Sequence, residues 1–231
     1  MIEHGHATHT GLRRDHNEDS YWADTEHGLW LVADGMGGPG RGEVASAVAL
    51  EAAVAALAAG ADTADAFRRA GTAVLEHPAQ ATAATPMGST LTALKLTGDT
   101  YAAAWIGDSR IYLWQDNTLL RLPHPETASD APPEVATRAT PHAPPRNRAT
   151  QALGITPTRE LDAQPVTGTC APGMQFLLCS DGVTEELDDA RIAAIVARTD
   201  LAAQECVDHL VLAALAAGGR DNLTAVLVRI N

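Results

Sequence analysis

Apolar positions in this chain fall into two kinds of run. Short, nearly unbroken stretches rich in Val, Ile, Leu, Thr and aromatic residues occur at Leu29–Ala33, Thr90–Leu96, Tyr101–Ile106, Ile111–Trp114, Gln175–Cys179 and Leu223–Ile230. Turn residues bound each of them, which predicts β-strands. Longer stretches carry helical spacing. Glu43–Ala59 is alanine-rich, with Val44, Val48, Val54 and Leu57 toward one side and Gly60 as its stop. Asp62 or Thr63 is placed to cap a second helix that runs to about His77, where Pro78 ends it. Asp188–Ala197 and Leu201–Ala217 predict two further helices, the last followed by Gly218 and Gly219. Strands cluster between helix pairs instead of alternating strictly with helices. The pattern therefore predicts α+β layers, not a doubly wound parallel sheet. Pro123–Pro145 is proline-rich and poor in apolar residues, and reads as a surface insertion within one domain spanning 1–231.

Composition narrows the function. A length of 231 residues with 45% hydrophobic content fits one large domain with a sizeable core. The abundant alanine implies helices that pack closely. A formal net charge of −13, with no basic run to offset it, argues against nucleic acid and acidic membrane surfaces as partners. No run of about 18 apolar residues is available to span a membrane. The opening MIEHGHATHT lacks the basic and apolar parts of a signal peptide. Cys170, Cys179 and Cys206 then read as free thiols of a cytoplasmic protein.

The candidate chemistry lies where apolar runs meet aspartates. LWLVADGMGG (Leu29–Gly38), AAWIGDSR (Ala103–Arg110), FLLCSDG (Phe176–Gly182) and RDNLTAVLV (Arg220–Val228) each set an aspartate beside a turn: Asp34, Asp108, Asp181 and Asp221. One such residue is an ordinary turn or cap aspartate; four with the same local grammar point to convergence. Converged carboxylates repel one another and resist desolvation. A hard divalent cation resolves this, and Mg²⁺ and Mn²⁺ prefer oxygen ligands. Gly35, after Asp34, lets a backbone carbonyl approach an ion. Gly35, Gly37 and Gly40 also match the dinucleotide pattern G-x-G-x-x-G. There, however, Asp34 would aim its charge at a pyrophosphate, and a second helix follows where a strand is needed. RRDHNEDS (Arg13–Ser20) alone is a solvated charged loop. Beside the strand-end acids it offers a guanidinium for an anion and further acids for a metal shell. His4, His6 and His9 look like a metal cluster, but they fall in an expected first strand and read as one surface face.

In order along the chain, TGLRRDHNED (Thr10–Asp19), VADGMGG (Val32–Gly38), GST (Gly88–Thr90), GDSR (Gly107–Arg110), RNRATQALG (Arg146–Gly154), LCSDGVTE (Leu178–Glu185) and RDN (Arg220–Asn222) resemble the motifs of bacterial-type PPM (PP2C) metal-dependent protein serine/threonine phosphatases. The resemblance spans nearly the whole chain. It implies a central antiparallel β-sandwich flanked by helix pairs, with a flap at about 123–148. It implies a monomer that hydrolyses phosphoserine and phosphothreonine monoesters on proteins, the products of a cognate kinase, by attack of a water bridging two Mg²⁺ or Mn²⁺ ions. Carried over by residue, Asp34 resembles the ligand shared by both ions. Gly35 would lend its carbonyl to one, and Asp181 and Asp221 would hold the other. Glu18 would act through metal-bound water, supported by Asp19. Asp108 would share a weaker third ion with Asp181. Arg14 resembles the phosphate-binding arginine, with Arg13 pointing elsewhere. The chain departs from the family pattern at Leu122-Pro123-His124-Pro125 and at Gln151, both near the flap. It departs also at Met36, where many eukaryotic members have a histidine proposed as general acid; methionine leaves protonation of the leaving group to water. The competing reading is a catalytically inactive PPM-like domain that binds a partner. Its mark would be a missing metal aspartate, and Asp34, Asp181 and Asp221 are all present.

Overall fold

The computed structural model describes residues 1–38, 40–82, 85–122, 151–231 and the short strand at 134–135. The expected flap lies outside the described residues apart from that strand. Two antiparallel sheets dominate. In the first, the strands β1 (Ile2–His9), β12 (Leu223–Ile230), β11 (Gln175–Cys179), β7 (Arg110–Gln115), β8 (Thr118–Arg121) and β9 (Glu134–Val135) follow in that spatial order. In the second the order is β10 (Val166–Thr169), β6 (Thr100–Ile106), β5 (Leu91–Thr97), β3 (Leu29–Met36) and β2 (Asp19–Asp24), with the two-residue β4 (Gly88–Ser89) paired to the end of β3.

Successive strand residues point to opposite faces, and here both faces are covered. On β3, Trp30 and Val32 face β12 and β11, meeting Val226, Val228, Phe176 and Leu178 between the sheets. Leu29, Leu31 and Ala33 face the other way, against α1 (Arg41–Ala58) and α2 (Thr63–Glu76). On the first sheet, Leu177, Cys179, Leu223, Ala225 and Leu227 pack against α4 (Asp181–Glu186), α5 (Asp189–Val196) and α6 (Ala203–Ala217). The layers are helix, sheet, sheet, helix, as expected. Double-sided burial explains why these strands read as continuous apolar runs and not as alternating ones.

Several boundaries differ from the sequence reading. The buried side of α1 carries mostly small residues, Gly42, Ala45, Ser46, Ala49, Ala53 and Ala56, together with Leu50 and the expected Leu57. Val44, Val48 and Val54 are only partly buried at its flank. Small residues let the helix axis lie close to β3, and that requirement overrides the valine stripe. Asp62 caps α2, accepting from the Asp65 N–H at 2.7 Å. Pro78 does end α2, but it also opens the short helix α3 (Pro78–Ala81). Strand β2 begins in the last two residues of the stretch expected to be a charged loop and continues beyond it. The three cysteines are free. Among the described residues no helix is long and apolar enough to cross a membrane.

Candidate metal centre

The sandwich opens at one end into a cleft of about 560 Å³. Arg14, Glu18, Asp34, Gly35, Asp108, Asp181 and Asp221 all line it. Segments far apart in sequence therefore deliver nearly every expected site residue to one place. Asp19 is the exception: it lies buried at the start of β2, directly across from Asp34 on β3.

Asp34 sits inside β3, two residues before the strand ends, whereas the sequence pattern ends the strand at Ala33 and sets Asp34 beside a turn. Its backbone is clamped on both sides. Its N–H donates to Thr90 Oγ1 at 3.0 Å, and its carbonyl accepts from the Thr90 N–H at 2.8 Å and from Ser89 Oγ at 3.1 Å. Thr90 Oγ1 in turn lies 2.8 Å from Ser109 Oγ, so the GST and GDSR motifs lock together. Gly35 is required for a reason the sequence did not reveal. A Cβ there would stand 1.9 Å from the Gly42 carbonyl oxygen and 2.8 Å from that of Glu18. Any side chain at Gly35 would thus push α1 off the strand. Glu18 completes the junction by accepting from the Gly42 N–H in the first turn of α1 at 3.2 Å.

The acids are electrostatically crowded. Burial, then the charges of Asp19, Asp181 and Asp108, push Asp34 well above the ordinary carboxylate range. Burial and the charges of Asp108 and Asp221 raise Asp181 to about 7. Burial raises Asp19 to about 6, against hydrogen bonds from Thr224 and Ser180 that favour its ionised form. Asp108 is raised chiefly by burial, and Glu185 adds to it. One oxygen of Asp19 accepts from Ser180 Oγ at 2.8 Å, whereas its other oxygen is buried without a partner. An orphaned carboxylate oxygen beneath a group of crowded acids, whose ionised forms burial disfavours, is a donor set that a hard cation satisfies. Among the described residues, no three His, Cys, Asp or Glu side chains gather tightly enough to cage an ion unaided.

The N-terminal loop is held by Asn222, whose role has no local sign in the sequence. Its Nδ2 donates to the carbonyls of Thr10 at 2.8 Å and His16 at 2.9 Å, and its Oδ1 accepts from the Glu18 N–H at 2.8 Å. The loop brings Arg14 to Asp221, where Nη2 donates to Oδ2 at 2.6 Å; the arginine remains 50% exposed. Arg13, expected to point elsewhere, also lines the cleft. The three histidines do not join the site. His4 stacks on His6 with ring centroids 5.7 Å apart and bonds Thr25, whereas His9 accepts from the Gly11 N–H.

A second residue missed from sequence is Glu186. Its side chain is 2% exposed and accepts from both the backbone N–H and Nε of Arg220, each at 2.9 Å. The Arg220 hydrogen bonds hold its carboxyl below the usual range. This clamp fixes the segment carrying Asp221, and the Leu12 N–H ties the N-terminal loop to the same segment through the Gly219 carbonyl at 2.7 Å. Glu186→Ala should lower stability only modestly, because the Arg220 groups it frees are largely open to solvent and can be hydrated. Glu186→Gln keeps an acceptor and should lose less. Urea denaturation measures both; an alanine variant as stable as wild type would remove the clamp from the account.

A family model described as protein phosphatase 2C matches residues 6–218. The chain belongs to the protein phosphatase 2C family. The matched span takes in all the expected site residues except Asp221. Among curated relatives, the serine/threonine protein phosphatase PstP of Mycobacterium tuberculosis is 33% identical over 231 residues, covering 94% of this chain and 43% of that protein. The chain thus spans less than half the length of PstP. Protein phosphatase PhpP of Streptococcus pneumoniae is 31% identical, covering 97% of this chain and 96% of that one. The solved catalytic domain of PstP, in complex with 2 manganese ions, superposes with a TM-score of 0.78 at 27% identity, covering 99% of this chain and 97% of that one.

Proposed function

We propose that this protein phosphatase 2C member hydrolyses phosphoserine and phosphothreonine monoesters on proteins, with two divalent cations held by the acidic cleft. The observation that carries the reading is the convergence of Asp34, Asp181 and Asp221 with Arg14 on that cleft. When bound, Mg²⁺ or Mn²⁺ supplies positive charge for the phosphate and lowers the pKa of water for in-line attack. Asp34, the Gly35 carbonyl, Asp181 and Asp221 would hold the ions, with Glu18 and Asp19 supporting them through water. The Thr90 and Ser109 hydroxyls keep the Asp34 backbone in register. Arg14 orients the phosphate with its planar fork. Met36 lines the cleft and carries no transferable proton, so the leaving oxygen takes its proton from water.

The weaker third ion gains nothing from the two-ion complex of PstP. The position of Asp108 on the cleft, and its electrostatic coupling to Asp181, are what support a role for Asp108. The inactive partner-binding alternative has no observation in its favour. The reading further takes 1–231 as one phosphatase domain acting as a monomer in the cytoplasm on the products of a cognate kinase. Free cysteines support the cytoplasmic part of that reading. Phosphate release from phosphothreonine, phosphoserine and phosphotyrosine peptides in Mn²⁺ tests the proposal. Turnover of the first two is expected, and turnover of phosphotyrosine alone would overturn it.

The raised carboxyls give a pH prediction. Protons held at Asp34, Asp19 and Asp181 stabilise the metal-free fold fully below about 3.8, the ordinary value. That stabilisation is lost as pH rises through the folded values, about 6 for Asp19 and about 7 for Asp181. Cations replace these protons, so the rise in Tm on adding Mn²⁺ should grow between pH 4 and 7. Calorimetric scans with Mn²⁺ and with EDTA measure it; a Tm difference independent of pH would contradict the proton count.

A further inference from the structure

The cleft sorts its charges by depth. Asp34, Asp108, Asp181 and Asp221 are half-buried, whereas Arg13 and Arg14 stand exposed on the loop above them. The two arginines differ in one respect. Arg14 is paired with Asp221 at 2.6 Å. Arg13 makes no hydrogen bond or ion pair among the described residues. The chain has 29 acidic residues against 16 Lys and Arg, so partners for an arginine are plentiful. With no partner among the described residues, this rim arginine presents its charge on the side from which a phosphorylated substrate enters the cleft.

The dimensions agree. At about 560 Å³ the cleft is far larger than one phosphate group and lies within the range of roughly 300–1,000 Å³ usual for ligand sites. Arg13 and Arg14 line the same cleft, and their Cα atoms, about 3.8 Å apart, match the spacing of adjacent residues in an extended peptide. We infer that Arg13 selects substrates carrying a second negative group beside the phosphorylated residue. This inference rests on the phosphatase reading above. The second group is an oxyanion, either the carboxylate of an acidic residue or a second phosphate, and Arg13 engages it while Arg14 engages the scissile phosphate.

The test is steady-state kinetics in Mn²⁺ on four phosphothreonine peptides. Their flanking residues are neutral, glutamate, a second phosphothreonine or lysine, with p-nitrophenyl phosphate as the reference substrate. Wild type should favour the acidic peptides over the neutral one by about two- to fivefold in kcat/KM, the value of an exposed ion pair. Salt near 1 M should erase the preference, because screening then acts within about 3 Å. The glutamate and phosphothreonine arms show which anion is preferred. Arg13→Ala should bring the acidic-to-neutral ratio to about one, and Arg13→Glu should invert it toward the lysine peptide. A preference that survives in Arg13→Ala, or a wild-type ratio of one with normal p-nitrophenyl phosphate turnover, would overturn this inference alone. Absence of turnover on every substrate would overturn the phosphatase reading and this inference with it.

Discussion

Asp34→Asn is expected to lower kcat on a phosphothreonine peptide by more than about 100-fold and to remove most Mn²⁺ affinity. Groups that only support a metal ligand change affinity or activity by about 10–100-fold, and Asp34 is proposed as the ligand shared by both ions. The substitution removes the charge and little else. The Asp34 backbone is fixed by Thr90 and Ser89, not by its own side chain. Burial, and after it the neighbouring carboxylates, already favour a neutral carboxyl at this position. The variant should therefore fold, with a metal-free Tm at least equal to that of metal-free wild type. Isothermal calorimetry separates the outcomes. Loss of Mn²⁺ binding in a folded protein agrees with the assignment, and wild-type binding contradicts it.

Arg14→Ala is expected to lower kcat/KM by roughly 10–100-fold. A hydrogen bond to a charged group contributes about 1.5–3 kcal/mol, and each 1.4 kcal/mol is about tenfold. The sequence alone separates this arginine from the metals, but the structure does not. Arg14 pairs with Asp221, so guanidinium and cation compete for one carboxylate. The pair is half-exposed and worth about 0.2–1 kcal/mol. Metal affinity in Arg14→Ala should accordingly be unchanged or up to about fivefold tighter. Arg14→Lys restores charge without the planar fork and should recover activity only in part. Calorimetry beside kinetics decides: metal affinity falling together with activity would make Arg14 a structural residue.

The aspartates were legible because each follows or precedes an apolar run, a local signal. The residues that hold them were not. Thr90 meets Ser109 19 positions away, Ser180 meets Asp19 161 away, and Asn222 meets Glu18 204 away. Neutral hydroxyls and amides carry no local mark of such partners. Strands buried on both faces announced themselves as apolar runs. Strand β2 did not, because it opens on buried Asp19 and continues half-exposed at the edge of its sheet. Asp181 read as a turn residue because Asp-Gly favours turns. In the fold Ser180 takes the cap position and Asp181 opens α4, where an acid suits the first helical turn. The helix pairs were legible from caps and glycines, whereas the buried side of α1 was not, since close approach to β3 favours alanine over valine.

The central claim is that the cleft works through bound cations. The most direct test measures phosphothreonine-peptide hydrolysis after EDTA treatment and gel filtration, then after adding back Mn²⁺ or Mg²⁺. The account predicts no turnover in the stripped protein and recovery with either ion, because the donors are all oxygen. Full turnover in metal-free buffer would contradict it.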